Sequence, residues 1–375
     1  MGEIITVKQG SFGKKIKVLV APLDWGLGHS TRCIKIIKEL LLNDYEVIIA
    51  CEGTQLLLLK REFPSLNYIN LKGYRIKYGR NRLLTICKII FQIPKILIQI
   101  KTERGWLNRI IGKEKIDIII SDNRFGLYSK KITSVFITHQ LCIKTAFGPI
   151  IENILQKLNY RYINKFAVCW VPDDFEKEKA IAGILSHPVN FPNIPVHYIG
   201  ILSRFEKKEL SAFNKLIIIL SGPEPQRTIL ENIFLKELKF YSERAILIRG
   251  LPNETKKIDM PSNIQVYNHL PSMELNNAIC SSEWVICRSG YSSVMDLVRL
   301  SKKSILIPTP GQSEQEYLAD YLHRKRLALN AGQKNFSLQK VLDIAKHFEF
   351  KQYDESDKSS LQDAIISLPK VKQPH

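Results

Sequence analysis

Residues 287–315, CRSGYSSVMDLVRLSKKSILIPTPGQSEQ, place a small-residue turn, a carboxylate and an amide–carboxylate pair at the ends of predicted elements. Ser289 and Gly290 stand where a strand gives way to a helix. Backbone NH groups at such a helix start are unpaired and carry partial positive charge, so they can receive a diphosphate. Asp296, further along the helical pattern, can accept hydrogen bonds from both hydroxyls of a ribose, or face solvent. Glu314 and Gln315 can grip a sugar. The chemistry is that of a nucleotide-sugar pocket. Upstream, LSGPEPQRT (220–228) offers Ser221 and Gly222 as a second phosphate-facing turn, although Pro223 and Pro225 remove two backbone donors. Arg204 and Arg288 can neutralise phosphate charge or make salt bridges.

The first half carries a different set. PLDWGLGHSTR (22–32) has two glycines and then His29, short of a full dinucleotide fingerprint. A histidine at a helix start is disfavoured from protonating by the positive dipole end, and a neutral imidazole can take a proton. His29 is therefore a candidate general base facing a crevice, or a cap. Asp24 can orient it or bind acceptor hydroxyls, with Gly28 in the same loop. Asp122, His139 and Gln140 follow predicted strand ends, where ligand-facing loops belong, and are acceptor-site or loop-capping candidates. No DxD or HxH pair stands at a strand end, so neither a metal nor a cofactor is expected.

These residues need a scaffold that brings strand ends together. Apolar runs at 16–21, 45–51, 66–71, 116–121, 134–138 and 166–171 alternate with helical patterns, and a second series restarts at 216–222 and continues to 303–310. Such alternation predicts an α/β chain of two Rossmann-like parallel-sheet domains facing across a crevice. The Pro-containing stretch 192–213 reads as the linker, which divides the chain into 1–204, for an acceptor, and 205–375, for a donor.

The chain of 375 residues carries a net charge of +19. Residues 1–200 hold 30 Lys/Arg against 16 Asp/Glu, and the remainder 25 against 20. This field favours anionic lipid, phosphate or nucleic acid. Residues 83–100 predict a helix with one narrow polar stripe, and cations crowd the surrounding segment 72–115. Lys88, Lys95 and Pro94 argue against a membrane span; the helix either docks on an anionic membrane face or is buried in the core. The seven cysteines lack CxxC spacing and read as reduced core thiols. No apolar run near the N-terminus resembles a secretory signal, so a cytoplasmic protein is expected, peripheral on the inner membrane face if the helix docks.

The chain resembles GT-B glycosyltransferases of family 28, the group containing the lipid-linked N-acetylglucosaminyltransferase of peptidoglycan synthesis. CRSGYSSVMDL is similar to the family's SRxGxxTxxE, with Arg288, Gly290, Ser293 and Asp296 at the matching places. GQSEQEYLAD resembles the paired-glutamine loop that contacts sugar hydroxyls, with Glu314 for the first glutamine and Gln315 matching the second. GILSR resembles GNPxR, which implies Arg204 near the diphosphate, and GLGH resembles the loop ending in the candidate catalytic histidine. The family's GGSxG turn reads SGPEP here, and its HEQN reads His139, Gln140, Leu141, Cys142. The resemblance implies an inverting, metal-independent transfer from a UDP-sugar, first among them UDP-N-acetylglucosamine, to an acceptor of the lipid-linked kind. A nucleotide-sugar hydrolase of the pseudaminic-acid type shares GxGHxxR with GLGHSTR (26–32), and a 2-epimerase shares the fold. A non-catalytic nucleic-acid or anionic-surface binder is disfavoured by the missing aromatic–basic interleaving, so nucleic acid is not an expected partner.

Overall fold

A computed structural model of the chain describes residues 15–369, apart from 77, 78, 80, 81 and 357–359; the side chains of residues 82, 83, 85–87, 89 and 90 also fall outside the description. Lys77, Arg80, the Arg82 side chain and the Cys87 side chain, all part of the expectations above, thus lie outside the described residues.

The first half runs β1 (Lys17–Pro22), α1 (Gly28–Leu42), β2 (Glu46–Cys51), α2 (Gly53–Glu62), β3 (Asn67–Asn70), α3 (Arg82–Glu114), β4 (Ile118–Asp122), β5 (Thr133–Ile137), α4 (Pro149–Ile163), β6 (Val168–Val171) and β7 (Val196–Tyr198). The second runs β8 (Asn214–Ile219), α5 (Gln226–Leu238), β9 (Ala245–Ile248), β10 (Ile264–Tyr267), α6 (Ser272–Cys280), β11 (Ser282–Cys287), α7 (Tyr291–Arg299), β12 (Lys303–Leu306), α8 (Ser313–Arg324), β13 (Leu329–Asn330), α9 (Leu338–His347) and α10 (Leu361–Ile366). The sheets have orders β3-β2-β1-β4-β5-β6-β7 and β10-β9-β8-β11-β12-β13, and each pairing is parallel. Strand order reverses between β1 and β4 in one sheet and between β8 and β11 in the other. A crevice opens at such a switch point, outside the strands' carboxyl ends. Helices cover both sheet faces, so Val18–Ala21 and Leu216–Ile218 are fully buried and read as unbroken apolar runs.

Two strands differ from expectation. β7 lies inside the expected linker and pairs with β6 through Cys169–Val196 and Val171–Tyr198; three residues directly after Pro192 and Pro195 leave no periodicity to detect. β13 is a two-residue edge on β12. The segment between sheets spans 199–213, and the boundary expected at 205 falls inside it. The chain then returns: the Ser356 amide donates to Asp174 at 2.8 Å, the Tyr45 hydroxyl to the Ile365 carbonyl at 3.3 Å, and α10 packs on α1. The last helix is thus part of the first domain's surface.

α3 is 33 residues long, with Pro94 inside it, and continues past the expected end at 100. Its later turns bury one face, with Glu103 and Leu107 fully buried, whereas Phe91 is 84% and Ile98 65% exposed. The described part of 83–100 therefore lies mostly at the surface, against its reading as a core helix. No helix among the described residues is long and apolar enough to cross a membrane. Cys33, Cys51, Cys169, Cys280 and Cys287 are buried free thiols, and Cys142 is half-buried and free.

Candidate active site

The pairing of β1 with β4 sets Pro22 opposite Asp122, so the loop leaving β1 and the end of β4 are neighbours. That loop turns at Gly26, whose φ of +84° suits a residue without Cβ, and α1 begins at Gly28. Gln55 of α2 donates to the Leu23 and Gly26 carbonyls. Asp24 accepts from the Tyr74 and Arg75 amides at 2.7 and 2.8 Å. It fastens the loop to residues 73–75 instead of orienting His29.

The orienting carboxylate is Asp122. Its Oδ2 lies 3.1 Å from Nδ1 of His29, and it accepts from Nε of Arg32 at 2.8 Å and, on Oδ1, from Nη2 of Arg32. Asp122 and Arg32 are buried, whereas the His29 side chain keeps 14% exposure. Asp122 was a candidate for acceptor binding or loop capping; its oxygens are occupied inside the protein. Burial raises its pKa, but Arg32 and His29 outweigh burial and hold the carboxyl well below its usual range. Burial, with Arg32 adding, lowers the His29 pKa against the pull of Asp122, which keeps the ring neutral. Nδ1 lies between Asp122 Oδ2 and, at 2.9 Å, Nη2 of Arg32; in the tautomer with Nδ1–H donating to Asp122, Nε2 carries the lone pair a base requires.

His139, after β5, continues the network. Arg32 Nη1 donates to its Nδ1 at 3.3 Å, its Nε2 lies 2.7 Å from Glu314 Oε1, and its ring stacks on Tyr291 at 4.0 Å. Gln140 Nε2 donates to the other Glu314 oxygen. His139, Gln140 and Glu314 were expected on separate acceptor and donor sides; here they join the two domains.

On the donor side, α7 starts after Gly290, with open space around that glycine. The Ser292 hydroxyl donates to the Gly28 carbonyl at 2.8 Å, so the starts of α1 and α7 meet. A Cβ on Gly28 would lie 2.8 Å from that hydroxyl, which explains glycine there. Ser289 donates to the Gln315 carbonyl at 2.8 Å, while Gln315 accepts from the Thr309 amide at 2.9 Å and donates to Gln312. Gln315 therefore shapes the 309–312 turn and is mostly buried, in place of an open sugar contact. Ser293 is half-buried on α7.

Asp296 accepts from the Ser203 hydroxyl at 2.6 Å, and burial, opposed by Arg204, pushes its pKa up to about 6. Arg204 donates to Ser272 at 3.1 Å and keeps a buried Nε without a partner. Arg288 was a candidate for neutralising phosphate or for a salt bridge. It is 1% exposed and donates to the Ile307, Pro308 and Gln226 carbonyls, clamping the loops under the turn. Burial alone pushes it down to about 10. Ser221 and Gly222 form the turn before α5, Gly222 at φ +99° with open space around it. Among the described residues no group of three or more His, Cys, Asp or Glu is placed to hold a metal ion.

Residues 208–368 match the glycosyltransferase family 28 C-terminal domain. Over 295 residues, 75% of either chain, the protein is 26% identical to the UDP-N-acetylglucosamine--N-acetylmuramyl-(pentapeptide) pyrophosphoryl-undecaprenol N-acetylglucosamine transferase of Clostridium tetani. Among solved structures, Acinetobacter baumannii MurG is 14% identical, with a TM-score of 0.50 over 89% of this chain and 90% of that one. The glycotransferase of kitacinnamycin is 12% identical, with a TM-score of 0.62 over 88% and 91%. Likeness at these identities speaks for the fold, and the domain match for the second half of the chain. Residues 208–368 carry a glycosyltransferase family 28 C-terminal domain, and the chain has the GT-B architecture of two facing parallel-sheet domains.

Proposed function

We propose that this glycosyltransferase moves a sugar, with inversion, from a UDP-sugar to the hydroxyl of a lipid-linked acceptor. The observation that carries the reading is the His29–Asp122 pair set at the start of α1, where α1 meets the start of α7. Nε2 of His29 takes the acceptor's hydroxyl proton as that oxygen bonds to the anomeric carbon. The bond from that carbon to the diphosphate oxygen breaks, and its electron pair leaves with UDP. Fixed donors lower the cost of the leaving charge: the amides at the start of α7, the Ser221–Gly222 turn and the spare Nε of Arg204. Ionised Asp296 accepts from the ribose hydroxyls. No metal enters this scheme.

The donor sugar proposed first is N-acetylglucosamine, the sugar in the Clostridium tetani relative's name, or a related hexose. The same name carries an undecaprenol-linked acceptor, and the surface of the first domain suits one. Besides the exposed part of α3, α4 presents Ile150, Ile154 and Leu158 on one exposed face, with Phe147 before them and the cations Lys157 and Arg161 near its end. Ile96 and Ile100 of α3 and Tyr162 of α4 belong to one apolar cluster, which ties both helices to the same part of the first domain. Apolar side chains ringed by cations fit an anionic membrane surface, which would place the protein peripherally on the cytoplasmic face of the inner membrane.

The rival is hydrolysis, favoured by the Arg32–His29 contact of a GxGHxxR loop, with water replacing the acceptor. Incubating the purified protein with UDP-sugars alone separates the two. Slow release of UDP supports transfer; fast release of UDP and free sugar supports hydrolysis.

A further inference from the structure

The carboxylate of Glu314 belongs to the second domain, yet both its oxygens are bonded to the first, one to His139 and one to Gln140. His139 has one consistent hydrogen-bond pattern: Nδ1 accepts from Arg32, and Nε2–H donates to Glu314. Arg32 in turn holds Asp122 through two donors and reaches Nδ1 of His29 at 2.9 Å. A continuous line of contacts therefore runs from the second domain to the base.

The charges along this line do not cancel. With both imidazoles neutral, Asp122 and Glu314 contribute two negative charges and Arg32 one positive. The remaining groups packed here are the Cys33 thiol, 3.7 Å from Asp122, and the Tyr291 hydroxyl, whose ring lies under His139. Burial keeps both protonated and uncharged. The surplus of one negative charge matches the positive charge His29 gains on taking a proton. Without Glu314, Asp122 and Arg32 cancel, and an imidazolium would be left uncompensated where burial makes charge costly.

We propose that Glu314 and His139 are positioning residues for the base: on domain closure Glu314 anchors His139, His139 fixes Arg32, and the second carboxylate balances the imidazolium that His29 becomes. This rests on the reading of His29 as the base. It assigns Glu314 a duty toward the acceptor proton in addition to any contact with the donor sugar, and it makes the base strongest only when the crevice is closed.

The test is an NMR titration of the His29 ring in the full chain, assigned by comparison with His29→Ala. Glu314→Gln keeps the shape and removes the charge, so the His29 pKa should fall by about half a unit or more, the order expected for losing an opposite charge at this range. Glu314→Asp, which keeps the charge, should recover most of the shift, and His139→Gln should reproduce part of it. In kinetics, the acidic limb of kcat/KM should move to lower pH in Glu314→Gln while its plateau falls. An unchanged His29 pKa, with only the KM for UDP-N-acetylglucosamine rising, would overturn the proposal and leave Glu314 a sugar ligand. The titration needs no turnover, so a shifted pKa in a protein without transferase activity would uphold the coupling and reject the functional reading instead.

Discussion

Asp122 stands 93 residues after His29, and its Oδ2 meets Nδ1 of His29 at 3.1 Å. The contact exists because β1 and β4 are neighbours at the switch point of the sheet. A buried carboxylate behind a part-exposed imidazole fixes the ring and stabilises its protonated form. Replacing the ring removes the base and leaves the nucleotide side intact. His29→Ala should lower kcat by ~10²–10⁴-fold and leave UDP affinity near wild type by calorimetry. Asp122→Ala should lower kcat as well, and should cost about 3–5 kcal/mol of stability, because Arg32 loses its buried partner. A thermal melt of Asp122→Ala matching wild type would contradict that pairing.

The pH dependence has a definite sign. Burial depresses the His29 pKa below its ordinary 6.5, so the base stays neutral below that pH. The acidic limb of kcat/KM for the free enzyme should therefore have its midpoint below 6.5. The same shift bears on stability. A histidine with a lowered folded-state pKa makes no difference well above 6.5, and the folded state loses stability as pH falls below 6.5, because the unfolded chain binds the proton first. His29→Gln should flatten that part of the stability curve.

Asp296 is raised to about 6, first by burial. Its carboxylate is half-ionised there, and the ionised form is the better acceptor for two hydroxyls. Affinity for UDP-N-acetylglucosamine, whose diphosphate does not titrate in this range, should increase as pH rises through about 6. Asp296→Asn should bind roughly tenfold more weakly at pH 7.5, as expected for losing a charge-assisted hydrogen bond, and should lose this pH dependence. Equal affinity of the two proteins across pH 5–8 would refute the ribose role.

Much of the scaffold was legible because strands buried on both faces must be apolar throughout, as Val18–Ala21 and Leu216–Ile218 are. β7 was not, because three residues after a pair of prolines carry no period. The end of α3 was missed because its last turns are rich in charged and polar residues and bury only one face, through Glu103 and Leu107. In the site, residue type marked candidates without showing which way their donors face. Arg288 and Gln315 carry the right groups for a ligand and spend them on loop carbonyls, an amide and Gln312. Arg32 was visible only within GLGHSTR; its three-residue spacing from His29 puts both on one helix face, and that was the available signal. That the same Arg32 meets Asp122 depends on sheet topology, which spacing does not encode.

The exposed faces of α3 and α4 predict co-sedimentation with anionic vesicles at low salt, reversed by raising salt. The pair Ile150→Glu and Ile154→Glu should abolish the binding with little change in thermal stability, since both side chains are at least half exposed. Binding by the double variant equal to wild type would exclude α4 from the contact.

The most direct measurement of the central claim is sugar transfer itself, followed as UDP release from UDP-N-acetylglucosamine with and without a polyprenyl-linked acceptor extracted from bacterial membranes. The account predicts release that depends on the acceptor, appears with a glycosylated lipid of inverted anomeric configuration, and is lost in His29→Ala. Release that is as fast without acceptor, or that persists in His29→Ala, would contradict it.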